Sequence, residues 1–277
     1  MSNITIWQKT FKTYSRPGDV DKVVRSTWWQ IATGLQQVDG LTVSDDLAEM
    51  AKVHIEGKCE IQSVLKQIWA HYDSQNRREA PETPEREADI AAARIVALLE
   101  EEHFQFAPSA LLGIHRRIFE GVFDGAGEIR HFNIAKSEAV LAGDSVRYVA
   151  WSSLKETLAY DFEREKKFSY KDLCPKEIIA HLAEFTADLW QIHPFCEGNT
   201  RATAVFIIKY MRTLGLKPKG EVFGRHARYF RDALVRANDS VGEREYAPDK
   251  IYLIWFLENL FLEGVHCLNR SALSLKR

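Results

Sequence analysis

Apolar positions recur at helical spacing through most of the chain, and clusters of polar residues, Pro and Gly divide them. Residues 1–41 read as a polar arm carrying Trp28 and Trp29, best explained as a helix docked by its tryptophans. Either Ser44 or Asp45 can cap the next segment. Leu47, Met50, His54, Gly57, Ile61, Val64 and Ile68 then repeat every three or four residues, which predicts one long amphipathic helix over about 45–70. Residues 71–87 are rich in charge and contain Pro81 and Pro84, so they read as a linker. Residues 88–101 are Ala- and Leu-rich and helical. Pro108 opens another helix with Leu111, Ile114, Ile118 and Phe119 on its apolar face.

Period two replaces the helical period once. Val140, Leu141, Val146 and Tyr148 flank Gly143-Asp144, a two-residue turn signal, and predict a β-hairpin. A single hairpin is marginal alone and must lie against helices. Ser153 and Glu156 form a capping box for a helix that buries Leu154, Leu158 and Phe162; residues 163–167 read as its solvated end. A further helix carries Ile178, Leu182, Phe185, Leu189 and Ile192. Pro194 stops it, and Val205 to Met211 continue the helical pattern beyond. Residues 224–236 form a basic, aromatic helix with Tyr229, Phe230 and Leu234 inward, and residues 251–262 are apolar nearly all round, fit for core or a dimer seam. The expected fold is mainly α with one β-hairpin. An N-terminal helical region spans 1–88 and a core with C-terminal helices spans 89–277.

Composition narrows the functional classes. Among 277 residues 45% are hydrophobic and 27% charged, and the net charge is −2, which favours neither nucleic acid nor a membrane surface as main partner. The 4 cysteines are scattered without CxxC pairing, so neither a zinc site nor a disulfide framework is indicated, and a reduced cytoplasmic chain is the simplest expectation. No stretch is long enough to span a bilayer, and the N-terminus has no apolar signal region; export by a specialised secretion system would leave neither mark.

The densest chemistry is the run HPFCEGNTR at residues 193–201, between two apolar helices. His193 is an imidazole able to take a proton from a hydroxyl. Glu197 is a hard oxygen ligand suited to Mg²⁺ shared with phosphates. Gly198 permits close backbone approach, and Gly198, Asn199 and Thr200 aim N–H groups out of a helix N-terminus, which favours phosphate. Arg201 supplies a forked donor for phosphate oxygens. Together they point to phosphoryl or nucleotidyl transfer.

This run resembles the signature of the Fic family, HPFx(D/E)GNGRxxR, and the resemblance covers about residues 107–213. It implies a Fic-type helical bundle with a hairpin flap, and Mg²⁺-dependent transfer of AMP from ATP to a Ser, Thr or Tyr hydroxyl of a target protein. It assigns His193 as general base, Glu197 as metal ligand, and Asn199 and Arg201 as phosphate contacts, with Phe195 anchoring the loop. The flap around Val140, Leu141, Val146 and Tyr148 would hold a target segment by strand addition. Glu56-Gly57 is similar to the (S/T)xxxE(G/N) motif of an inhibitory helix, which assigns Glu56 a self-inhibitory role, although Lys52 stands in place of Ser or Thr. The sequence departs from the signature at Thr200, for the second Gly, and at Ala204, for the Arg that grips the γ-phosphate. Either an arginine of residues 225–236 restores that contact, with Arg225 and Arg228 as candidates, or the donor is another nucleotide. A nucleotide- or peptide-binding module without turnover and a nucleic-acid regulator using residues 225–236 are the other readings; a homo-oligomer is compatible with all of them.

Overall fold

The computed structural model describes residues 20–76, 83–239 and 249–275. Ten α-helices and several 3-10 turns make up the regular structure of these residues. The helices are α1 Val20–Gln36, α2 Asp45–Ile55, α3 Ile61–Asn76, α4 Pro84–Glu100, α5 Pro108–Phe119, α6 Leu154–Lys167, α7 Pro175–Ile192, α8 Asn199–Thr213, α9 Gly220–Ala237 and α10 Ile251–Phe261. None is long and apolar enough to cross a membrane. The chain divides into two units. One holds residues 1–103 with 218–227, and the other holds 104–217 with 228–277. The division therefore falls after α4, whereas the sequence suggested 88/89. Helix α9 kinks at His226 (φ −129°, ψ 23°), next to the point where the chain passes from one unit to the other.

In the first unit α1 packs along α4, and α2 and α3 close around them. Trp28 and Trp29 are buried, as the aromatic pair implies. The Trp29 indole donates to Nδ1 of His54 (3.0 Å). The single helix expected over 45–70 is two helices. Ser44 caps α2 by accepting from Leu47 N–H (3.1 Å), and Gly57 ends it at φ +74°. Gly57 N–H bonds to His54 O and Lys58 N–H to Val53 O, which satisfies the last carbonyls of the helix. The periodic pattern runs on past Gly57, so periodicity alone hides the break. The expected linker is shorter too, because α3 continues to Asn76; the rest of it, 77–82, lies outside the described residues, as does the start of the polar arm.

In the second unit α7 lies at the centre and packs against α6, α8 and α10, with α5 against α8. An aromatic core of Phe106, Phe162, Phe185, Phe206 and Tyr210 joins these helices. Within it the supposed solvated end of α6 carries a buried carboxylate. Glu165 accepts from the Tyr210 hydroxyl (2.7 Å), the Tyr170 hydroxyl and His181 Nε2 (2.7 Å). His181 stacks on Phe168 and so is a packed histidine. Ser153 forms no side-chain cap; a 3-10 turn at Trp151–Ser153 leads directly into α6. The capping box instead sits at Cys174 and Glu177, where Glu177 accepts from Cys174 N–H (2.8 Å) and starts α7.

The expected β-hairpin is not a strand ladder. No strand occurs among the described residues. Ala139–Leu141 form a 3-10 turn, Ala142 adopts a left-handed conformation, and Glu138 N–H bonds to Asp144 O (2.8 Å) to close the loop. Val140 and Leu141 are both buried although adjacent, which breaks the alternation a strand needs. Leu275 N–H also bonds to Val140 O (2.9 Å), tying the loop to the C-terminal segment.

Candidate active site

The site is built where α7 ends and α8 begins. His193 closes α7 in a left-handed conformation (φ 50°), which turns the chain into the loop and fixes the imidazole at the junction. Its Nδ1 lies 3.2 Å from Trp190 O. A carbonyl only accepts, so Nδ1 carries the hydrogen and Nε2 is left as the basic nitrogen. Tyr148 lies over the ring at 4.1 Å between centroids, Trp190 meets it edge-on, and His193 is 3% exposed. Burial, followed by the nearby charge of Lys136, holds its pKa down at about 3, with Arg130 and Arg231 adding to the effect. His193 is therefore neutral at ordinary pH.

Arg130 holds the whole junction. Its Nε donates to His193 O (2.8 Å), one terminal nitrogen to Phe132 O (2.7 Å), and the other to Val149 O and, more weakly, Ile192 O (3.5 Å). Its main-chain N–H bonds to Pro194 O (2.9 Å). One guanidinium thus joins the end of α7, the motif loop and the segment that ends at Val149. The site's other histidine, His115 on α5, supports the loop from below. Gly127 N–H donates to its Nδ1 (2.8 Å), so Nε2 carries the hydrogen and donates to Glu197 O (2.9 Å). The ring stacks on Phe195 at 3.7 Å, and burial keeps its pKa at about 4.

The motif side chains divide between holding and presenting. The Asn199 carboxamide accepts from Phe195 N–H (3.0 Å) and donates to Phe195 O (2.8 Å), so it folds the loop onto its own helix. The Thr200 hydroxyl accepts from the Trp190 indole N–H (3.0 Å), which accounts for a hydroxyl where the family signature has Gly. Gly198 starts α8 at φ 72°, and a Cβ there would lie 2.4 Å from the Phe119 ring. Arg201 is buried, its guanidinium over the rings of Phe119 (4.6 Å) and Phe123 (5.8 Å). The N–H groups of the first turn of α8 have no intrahelical acceptor, so this end still offers donors and a partial positive charge to an anion. Glu197 is the exposed member at 61%, with one oxygen on Lys136 Nζ (3.0 Å). Among the described residues no group of three or more His, Cys, Asp or Glu is arranged around a metal. A lone exposed carboxylate fits a Mg²⁺ whose remaining ligands are phosphates and water.

Other expected residues fall elsewhere. Val140, Leu141, Val146 and Tyr148 are buried, so their side chains face the protein interior. Glu56 belongs to the first unit, at the C-terminal end of α2, with its carboxylate on Lys58 Nζ. Arg225 and Arg228 are exposed. The sequence reading missed His115 and Glu138, and passed over Arg231 in favour of its neighbours. Their partners lie 82 and 93 positions away, so no local spacing reveals them.

Residues 105–211 match the family model of the Fic/DOC family. Solved structures share the fold. The N-terminal Fic domain of Bep8, a VirB-translocated effector of Bartonella sp. 1-1C, is 20% identical with a TM-score of 0.51, over 69% of this chain and 93% of that one. A Fic-domain signaling protein of Bacteroides thetaiotaomicron is 15% identical with a TM-score of 0.54, over 98% and 94%. BepC of Bartonella tribocorum, solved with bound AMPPNP, is 17% identical with a TM-score of 0.50, over 66% and 90%. Fic domains generally transfer a nucleotide monophosphate to proteins.

Proposed function

We propose that the chain is a protein adenylyltransferase, moving AMP from ATP to the hydroxyl of a Ser, Thr or Tyr on a target protein. The observation that carries this reading is the His193 imidazole, with Nε2 as its basic nitrogen, at the end of α7, directly before the helix N-terminus of α8 and beside the exposed Glu197. His193 takes the proton of the target hydroxyl while that oxygen attacks the α-phosphorus, and pyrophosphate leaves. The first turn of α8 supplies N–H donors to phosphate oxygens, with Gly198 allowing their close approach. Asn199 and Thr200 hold that turn in shape through Phe195 and Trp190. Glu197 would hold a Mg²⁺, which would supply charge neutralisation for the leaving group. For it to bind, Glu197 exchanges its contact with Lys136.

Tyr148 covers the imidazole, so access of a target hydroxyl requires the segment carrying it to shift. That segment is also the candidate for main-chain pairing with the target, since Val140, Leu141, Val146 and Tyr148 use their side chains internally. Glu56 is the candidate inhibitory residue. A second donor remains a specific alternative because Ala204 stands where the family signature has its second Arg.

The test is a donor screen on the purified chain with Mg²⁺ and candidate target proteins, using nucleotides labelled in the transferred moiety. Transfer from ATP, lost in His193→Ala while nucleotide binding persists, supports the reading; transfer from a different nucleotide alone replaces ATP as donor. Higher labelling in Glu56→Gly supports self-inhibition, and equal labelling removes it. Full activity of His193→Ala contradicts the assignment of the base.

A further inference from the structure

The segment that follows α10 is a strap laid across the second unit. Asn259 of α10 grips its start, donating to His266 O (2.8 Å) and accepting from His266 N–H (3.0 Å), while the His266 ring bonds to Glu258 and stacks on Trp255. Leu268 and Leu273 are buried. Between them Arg270 Nε donates to Asp232 of α9 (2.7 Å), and the Tyr252 hydroxyl of α10 donates to Ala272 O (3.1 Å). The strap is therefore anchored on two helices before it reaches Leu275, whose N–H donates to Val140 O (2.9 Å).

Val140 belongs to the loop that covers the base. The two arms of this loop are cross-linked: Lys136 N–H donates to Ser145 Oγ (3.2 Å), Ser137 Oγ to Gly143 O (2.8 Å) and Glu138 N–H to Asp144 O (2.8 Å). The returning arm carries Tyr148 onto His193, so a hold on Val140 is also a hold on Tyr148. The turn's own main-chain bonds end on Glu138 O, Ala139 O and Leu141 O, which leaves Val140 O to the strap. Consecutive residues of α9 fix the two partners: Arg231 holds Glu138 of the loop, and Asp232 holds Arg270 of the strap.

We propose that the end of the strap is an autoinhibitory contact. Leu275 occupies, in cis, a main-chain acceptor of the loop, Val140 O, that an extended segment of a target protein would otherwise use, and it thereby holds Tyr148 closed over His193. This rests on the reading of the loop as the segment that pairs with the target. The strength of the contact suits a switch that a target can open. One neutral hydrogen bond shifts an equilibrium by about 2- to 10-fold, so the strap biases the loop without locking it. An incoming segment that makes the same bond replaces the strap at little net cost.

The measurement compares the full chain with Leu275→Pro, which removes the N–H, and Leu275→Ala, which keeps it. Modification by diethyl pyrocarbonate, read residue by residue by mass spectrometry, reports access to His193; the buried His115, outside the loop, is the internal reference. Leu275→Pro should raise the His193 rate by about 2- to 10-fold and speed amide exchange over residues 138–144, with His115 unchanged and Leu275→Ala matching wild type. With α-labelled ATP, Mg²⁺ and a panel of Ser-, Thr- and Tyr-containing peptides, transfer should rise by the same factor at unchanged ATP affinity. Equal His193 rates in all the chains, a parallel rise at His115, or an equal effect of Leu275→Ala overturns the proposal. So does a gain at His193 without a gain in transfer by an active chain. A gain at His193 with no transfer from ATP in any chain leaves the strap's hold on the loop standing and counts against the nucleotide-transfer reading.

Discussion

The chemistry of this chain rests on how individual side chains divide their work. His193 keeps Nε2 basic because Nδ1 is committed to Trp190 O, and it stays neutral because burial and three nearby cations oppose its protonation. Phosphate charge placed among those cations raises the proton affinity of the ring. We therefore expect the His193 pKa, followed by NMR, to rise on addition of nucleotide; no rise would mean that the phosphates bind elsewhere. Gly198 is restricted both by its backbone and by Phe119. Gly198→Ala should destabilise the chain by about 1–3 kcal/mol in denaturant titration, with loss of nucleotide binding; a neutral effect would contradict the tight packing at the start of α8. The motif could be read directly because its residues are contiguous and each has a chemical reason to be there. What contiguity did not disclose is that Asn199 and Thr200 point inward as braces, since the bonding partners Phe195 and Trp190 are chosen by the fold of the loop.

Helices α6, α7 and α8 position the motif, and they are joined by a polar link as well as by apolar packing. Glu165 receives Tyr170, His181 and Tyr210 from three separate elements. Replacing Glu165 by Ala leaves buried donors without an acceptor and should cost about 2–4 kcal/mol in chemical denaturation. A cost below about 0.5 kcal/mol would show that the link is dispensable. Most of the helices were readable from apolar spacing, capping residues and Pro108. The failures have physical causes. Gly57 interrupts a pattern that is otherwise continuous, because a left-handed residue costs glycine little and ends the hydrogen-bond ladder. Glu165 looks like a solvated charge in its local run, and only the meeting of three elements makes it an acceptor in the core. Residues 138–149 contain the letters of a hairpin, yet Glu138 is drawn to Arg231 and Leu275 pairs with Val140, so the loop settles into a 3-10 turn.

Across the molecule, two buried histidines give folding a particular dependence on pH. The pKa of His115 is lowered to about 4 and that of His193 to about 3, against about 6.5 in the unfolded chain. Below about pH 6.5 the unfolded state takes up protons that the folded state refuses, so stability is lost as pH falls towards the folded values. Each histidine contributes a slope of about 1.4 kcal/mol per pH unit in that window. His115→Gln keeps an acceptor and a donor for Gly127 and Glu197, and should flatten the pH dependence between about 6.5 and 4; the same slope in wild type and variant would contradict the buried neutral state. The helical character of the N-terminal part and the contiguous motif at residues 193–201 were visible from apolar spacing and sequence. The return of residues 218–227 to the first unit was not, because it depends on close contacts such as Gly34 against the main chain of Phe223.

The central claim is that the loop between α7 and α8 directs a hydroxyl, through His193, to the α-phosphorus of ATP. It is tested by incubating the chain, Mg²⁺ and target protein in parallel with α-labelled and γ-labelled ATP, beside His193→Ala. The account predicts label on protein from the α-position only, released pyrophosphate carrying the γ-label, and no protein label with His193→Ala. Protein labelled from the γ-position, or equal labelling in the presence and absence of His193, would contradict it.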